Sequence, residues 1–193
     1  LTVTEKGYCH DPATGRLNHK NPQVIADLEN TNKPSSALGY LCEALYQRWR
    51  QDLGPFTIIS CDNLPSNGKV LRGLLIEFAK LRDAELADWI ENHVSCPSSM
   101  VDRIVPATTE KDRQRVQQEL GLEDQGVVVT EGFSQWILED NFCAGRPAWE
   151  EVGVTMVDDV TPFEHMKLRM LNGTHSTLAY LGFMAGHVYV AEA

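Results

Sequence analysis

The sequence has no apolar run of membrane-spanning length and no signal-peptide pattern within it. It contains no P-loop, no Gly-x-Gly-x-x-Gly, no His-Glu-x-x-His and no Gly-x-Ser-x-Gly. These absences exclude the common nucleoside-triphosphate, zincin and α/β-hydrolase chemistries. They also leave any dinucleotide site without its usual glycine-rich first turn. Positive charge is scarce: 17 Lys and Arg stand against 27 Asp and Glu, and the net charge is -10. With no basic stripe, that balance argues against nucleic acid. It does not argue against a small anionic substrate, which feels local charges only. The cysteines (Cys9, Cys42, Cys61, Cys96 and Cys143) are odd in number and widely spaced. No disulfide framework follows, and a cytoplasmic setting is expected. Cys9, His10 and His19 lie near one another but lack zinc-type spacing, so no metal is expected.

What is present reads as α/β. With 193 residues, 42% apolar and 23% charged, the chain has room for a real core in one large or two small domains. Residues 1–4 are short and β-prone. Residues 9–34 read as a surface excursion with a short helix near Pro22. Ser35 or Ser36 caps a helix to about Leu53, with Leu38, Leu41, Leu45 and Trp49 on one stripe. The run FTIISC at 56–61 predicts a buried strand. A loop then leads to a helix with Val70, Leu71, Leu74, Leu75 and Phe78 inside, and Asp83 or a neighbour starts another. Such alternation predicts a parallel sheet whose ligand edge lies beyond the strands' carboxyl ends. That rule puts Thr4, Glu5 and Lys6 on the same edge as Cys61, Asp62 and Asn63. Past 96, residues 109–120 read as a charged surface helix, 127–130 and 152–157 as short strands, and 133–140 as strand or helix. Trp136 and Trp149 are expected to pack there.

The most informative stretch is TPFEHMKLRMLNGTHSTLAY at 161–180. Thr161 suits an N-cap, Pro162 the first helical position and Glu164 a capping box. At about 100° per residue, Lys167, Leu168, Leu171, Asn172 and His175 fall on one arc roughly 140° wide. A lysine buried among leucines favours its neutral amine, a usable proton acceptor. Asparagine can donate to an oxygen on which charge develops. A plainer account fits the same spacing: Lys167 snorkels, His175 is a satisfied core histidine, and Asn172 marks a helix break before Gly173.

Several stretches together resemble the long-chain polyol dehydrogenase family, which includes mannitol 2-dehydrogenase and fructuronate reductase (D-mannonate oxidoreductase). They are LTVTEKGYC at 1–9, SCDN with Gly68, MVDRIVP at 100–106, QWILEDNF at 135–142, GRPAW at 145–149 and MKLRMLNGTHSTLAYLG at 166–182. Lys-x-x-x-x-Asn-x-x-His is the family signature, and the wording lies nearer the fructuronate reductases. The resemblance implies metal-independent hydride transfer between NAD and a secondary alcohol carbon. D-mannonate and D-fructuronate are the first expectation, and mannitol and fructose the alternative. It implies Lys167 as acid/base, Asn63 and Asn172 around the reacting oxygen, and His175 and Asp102 in support. Thr4, Glu5, Lys6 and Asn63 fall on the cofactor side. For Asp102 an ordinary ion pair, with Arg103 for example, stands beside that reading. The fold it implies is the C-terminal part of a Rossmann-like domain over 1–95, followed by the start of a mainly helical substrate domain over 96–193. Since family members are longer at both ends, the chain reads as an internal fragment with little activity of its own. A monomer or dimer acting on a small sugar is expected, and a non-catalytic binding module is the reading from another class.

Overall fold

The computed structural model describes residues 1–193, the side chain of Glu5 excepted. The first lobe is built on α1 (Pro22–Glu29), α2 (Ala37–Arg50), α3 (Asn67–Arg82) and α4 (Ala84–His93). Each apolar stripe turns inward. Leu38 and Leu45 of α2, Leu71, Leu74, Leu75 and Phe78 of α3, and Leu86 and Ile90 of α4 share one buried core with Tyr8, Val24 and Ile58. The caps follow the sequence. The Ser36 hydroxyl accepts from Gly39 N–H at 3.0 Å, and the Asp83 carboxylate accepts from Glu85 and Leu86 N–H. Helix α2 stops at Arg50, short of the expected Leu53. Asp52 takes a left-handed φ of 55°, and Leu53 N–H folds back onto Arg48 O at 2.8 Å.

Residues 56–61 run between two neighbours. On one side Leu1 N donates to Ile59 O at 2.7 Å and Cys61 N–H donates to Leu1 O at 3.0 Å. One residue bracketed by two alternate residues of its neighbour is the parallel pattern. On the other side Ile58 N–H donates to Ser95 O at 3.0 Å. The two parallel segments end at the same rim. A 3-10 turn (Glu5–Tyr8) follows the first, and the loop carrying Asp62 and Asn63 follows the second. Tyr8 ties the two together: its buried hydroxyl lies 2.7 Å from Ser60 Oγ and bonds the Asp62 carboxylate. Burial and that carboxylate push the phenol well above its ordinary value.

The second lobe centres on β1 (Ser99–Asp102), β2 (Gln135–Glu139) and β3 (Thr155–Val157), in that spatial order. β1 and β2 pair antiparallel with Met100 opposite Ile137, and β2 and β3 pair parallel with Leu138 opposite Met156. Met100, Ile137 and Val160 make a small core of their own. α5 (Glu110–Leu120) buries nothing and stands on its Thr109–Asp112 capping box. Trp136 and Trp149 pack as expected, with ring centroids 5.7 Å apart. The strand expected at 127–130 is irregular chain instead. Val128 is 65% exposed, and β-propensity without a neighbouring strand does not hold a strand.

A buried carboxylate fixes the turn between α1 and α2. Asp27 accepts from Ser35 N–H (2.7 Å) and Oγ (2.8 Å), and from Ser36 N–H (2.9 Å) and Oγ (2.5 Å). Burial alone would push this carboxyl up; the donors of Ser36 and Ser35 outweigh it and hold it below the usual carboxylate range. A depressed folded value contributes stability above the unfolded value of about 3.9, and the contribution is lost as pH falls through the folded one. Asp27→Asn is therefore expected to lower unfolding free energy by about 1–3 kcal/mol at neutral pH. In urea melts the gap to the parent chain should narrow steadily below about pH 4; a gap independent of pH would contradict this account.

Candidate active site

The stretch expected as one helix is three joined pieces: α6 (Thr161–Met166), a π-helical turn (Lys167–Asn172) and α7 (Gly173–Ala185). Its start differs from the expected capping box. Val160 occupies the N-cap position, and Thr161 N–H donates to Asp159 Oδ1 at 3.0 Å. Glu164 does not reach back. It is buried, and its Oε1 accepts from Ser66 N–H at 2.9 Å, across the lobe boundary. The residue before α3 is thus held by a carboxylate, the charge favoured at a helix N-terminus, and α6 is docked on the first lobe.

The π turn changes which residues align. Gly173 N–H bonds Leu168 O, five residues back. In a regular α-helix Lys167 and Asn172 would stand about 140° apart; a turn closed over five residues brings them onto one face. Turns of this type are rare and concentrate at functional sites. The expected dry leucine face is not present. Leu168, Leu171 and Leu178 are 46%, 48% and 39% exposed, because no described element packs over them.

Lys167 is nevertheless shielded, since it leaves the helix toward β1 and the Asn63 loop; its side chain is 14% exposed. Its Nζ donates to Val101 O at 2.6 Å and to Asn63 Oδ1 at 2.9 Å, and lies 3.5 Å from Asp102 Oδ1. Three acceptors match the three N–H donors of an ammonium. A lysine ammonium can only donate, so the Asn63 atom facing it is the oxygen. The amide N–H bonds of Asn63 are thereby left for another acceptor. Asp102 pairs with Lys167, while Arg103 Nε donates to Glu131 O at 3.2 Å.

These groups border one cavity of about 750 Å³ between the lobes. Its walls include Asp62, Asn63, Asp102, Arg103, Glu164, Lys167 and Asn172, with Leu64, Met100 and Trp136 as apolar surface. The structure thus brings Asn63, Asp102, Lys167 and Asn172 together. It does not bring in His175, which is exposed on α7 and outside the cavity lining. The mismatch is geometric: the wheel that carried His175 inward assumed an unbroken α-helix. Thr4 and Lys6 are exposed near the rim and also outside the lining, and the Glu5 side chain lies outside the described residues. Among the described residues no group of three His, Cys, Asp or Glu could hold a metal, and no helix is long and apolar enough to cross a membrane. Sequence reasoning missed the Val101 carbonyl, which has no side-chain signal, and the interlobe bond of Glu164. Neither left a signal in the sequence, since the local capping spacing already accounted for Glu164.

Residues 1–151 match the mannitol dehydrogenase Rossmann domain, and residues 159–193 match the mannitol dehydrogenase C-terminal domain. The uncharacterized oxidoreductase YeiQ of Escherichia coli K12 is 54% identical over 192 residues, and the D-mannonate oxidoreductase of the same organism 51% identical over 192. Each alignment takes in 100% of this chain but only 39% and 40% of the relative, so the chain spans about two fifths of the curated relatives it matches. The structure of Pseudomonas fluorescens mannitol 2-dehydrogenase, in ternary complex with NAD and D-mannitol, superposes with a TM-score of 0.85 at 50% identity, over 97% of this chain and 38% of that one. A parallel-paired Rossmann-like lobe, a helical C-terminal stretch and two matching family models agree: the chain belongs to the mannitol dehydrogenase family.

Proposed function

We propose that this chain carries the acid–base centre of an NAD-dependent oxidoreductase acting on a polyol or sugar, with D-mannitol and D-fructose as the favoured pair. The carrying observation is the position of Lys167 Nζ, within reach of Asn63 Oδ1, Val101 O and Asp102 at the wall of the interlobe cavity. Residues 1–95 serve as the cofactor side and residues 96–193 as the substrate side, each with its own core.

The nicotinamide supplies the hydride acceptor or donor when bound. The paired segments ending at the rim suit its reacting end, and Thr4, Glu5, Lys6 and Asn63 are the residues that would face it. In oxidation, the amine of Lys167 takes the hydroxyl proton while the carbon loses its hydrogen with the bonding pair, and a carbonyl remains. In reduction, the ammonium returns that proton to the nascent alkoxide. Asn63 and Asn172 donate amide N–H bonds to the same oxygen as charge develops on it. Asp102 orients the lysine, and His175 meets substrate groups beyond the cavity.

The lining favours a neutral substrate. Three carboxylates (Asp62, Asp102 and Glu164) face two cations (Arg103 and Lys167), so a sugar-acid carboxylate would enter an acidic field. The second reading, D-mannonate and D-fructuronate, draws on the 51% identity to a D-mannonate oxidoreductase and on Arg103 at the wall. Initial rates of NAD reduction with D-mannitol and D-mannonate separate the two. The expected kcat/KM is at least about tenfold higher for mannitol, on the order of 1.4 kcal/mol for one unfavourable charge. A preference for mannonate would replace the first reading with the second. No rate on either, together with no NADH binding, would support the non-catalytic module.

A further inference from the structure

Two separate segments supply the acceptors around Lys167. Asn63 comes from the loop after 56–61, while Val101 O and Asp102 come from β1. No covalent neighbour relates these segments, since the whole of α3 and α4 lies between them. One side chain spans the gap. Asn67, the first residue of α3, is completely buried. Its Oδ1 accepts from Ser99 N–H at 2.9 Å, and its Nδ2 donates to Ser99 O at 3.0 Å. The same Nδ2 lies 3.4 Å from Asp62 O, the carbonyl immediately before Asn63. The amide therefore pairs with the first residue of β1 as a neighbouring strand would. It holds the carbonyl beside Asn63 at the same time. A single hydroxyl, Ser99 Oγ bonded to Ser60 O, reinforces the join.

We infer that Asn67 is a positioning residue: its amide sets the spacing between the Asn63 loop and β1, and so holds the three-acceptor nest around Lys167. It does not line the cavity and touches neither reacting atom. An amide is required there. A carboxylate would turn its second oxygen toward two carbonyls, and an aliphatic group would leave Ser99 unpaired on that edge. The inference deepens the proposed function and rests on it for its importance, but its test does not use turnover.

The test reads the Lys167 ammonium directly, by the exchange of its Nζ protons with water in 15N-labelled chain. A nested ammonium exchanges slowly; a released one exchanges fast. In Asn67→Ala the Lys167 Nζ exchange rate should rise at least tenfold, while the exchange of exposed Lys20 and Lys111 stays unchanged. Asp27→Asn, which loosens the same lobe far from the site, should leave Lys167 within twofold of the parent. That contrast separates positioning from general destabilisation. A folded Asn67→Ala chain whose Lys167 exchange is within twofold of the parent overturns the inference. So does an equal rise in Asp27→Asn. Should Asn67→Ala not fold, Asn67→Ser reads the same quantity with a smaller gap. The unsubstituted chain gives an independent reading: the Asn67 side-chain amide protons must exchange as slowly as the amides of the α3 core, and fast exchange there overturns the inference. Absent NAD-linked turnover with a slow, Asn67-dependent Lys167 would instead count against the proposed function alone.

Discussion

Lys167→Ala is expected to reduce turnover by about 10²–10⁴, the range for loss of a positioned acid–base group. The fall should appear equally in kcat and kcat/KM, because the lost interaction belongs to the transition state and not to ground-state binding. NADH affinity should hold, since the role proposed for Lys167 is toward the substrate oxygen and not toward the cofactor. The variant should also fold. Lys167 belongs to a helix whose outer face is already open, and its side chain serves no apolar core. Lys167→Arg adds discrimination. Arginine keeps the charge and can still donate to Val101 O and Asn63 Oδ1, but it does not give up a proton in proteins. If the lysine merely braced the two lobes, Arg would restore most of the activity. If it shuttles a proton, Arg should remain within about tenfold of Ala. Steady-state rates of the three forms on D-mannitol decide between these outcomes.

The sequence was most legible where local chemistry and packing agree. Ser36, Asp83 and Thr109 cap the helices their positions imply, and the stripes of α2, α3 and α4 are the core. It was least legible where tertiary geometry decides. Val127, Val128 and Val129 have the composition of a strand, yet pairing needs a partner the chain does not bring. Within the site, residue types were readable and phase only in part. A wheel drawn at about 100° per residue puts Lys167 and Asn172 at the two ends of one arc, and both do border the cavity; the five-residue winding between them is what the wheel does not show. The same wheel carried His175 inward, and the structure leaves it outside. Glu164 illustrates a third case. A local rule assigned it to its own helix start, and a longer-range partner, Ser66 N–H, claimed it. Polar groups near a lobe boundary have two ways to be satisfied, and sequence spacing sees only the nearer one.

Gly68→Ala should be among the most damaging single methyl additions available to this chain. The Cβ it introduces would fall inside contact distance of Cys96 O, 2.5 Å from Pro97 C and 2.6 Å from Pro97 O. All three are backbone atoms, so no side-chain rotation relieves the clash. The obstructing segment is itself constrained: Pro97 has a fixed φ, and two residues later Ser99 enters β1 and the grip of Asn67. Relief must come from moving α3 off this crossover, the segment 94–98 between α4 and β1. Overpacking of this kind costs about 3 kcal/mol, the upper end of the usual range. For a chain of this length that corresponds to a melting point lower by about 6–12 °C. Gly73 provides the opposite sign in the same helix. A Cβ there meets nothing within 4 Å, so Gly73→Ala should stabilise by about 0.5–1 kcal/mol through helix propensity. Thermal melts of the pair test the claim without any assay. A Gly68→Ala chain that melts within about 2 °C of the parent, less than 1 kcal/mol, would mean that α3 and the crossover are not in contact. The close approach that seats Asn67 on Ser99, and with it the enclosure of Lys167, would then be lost from the account.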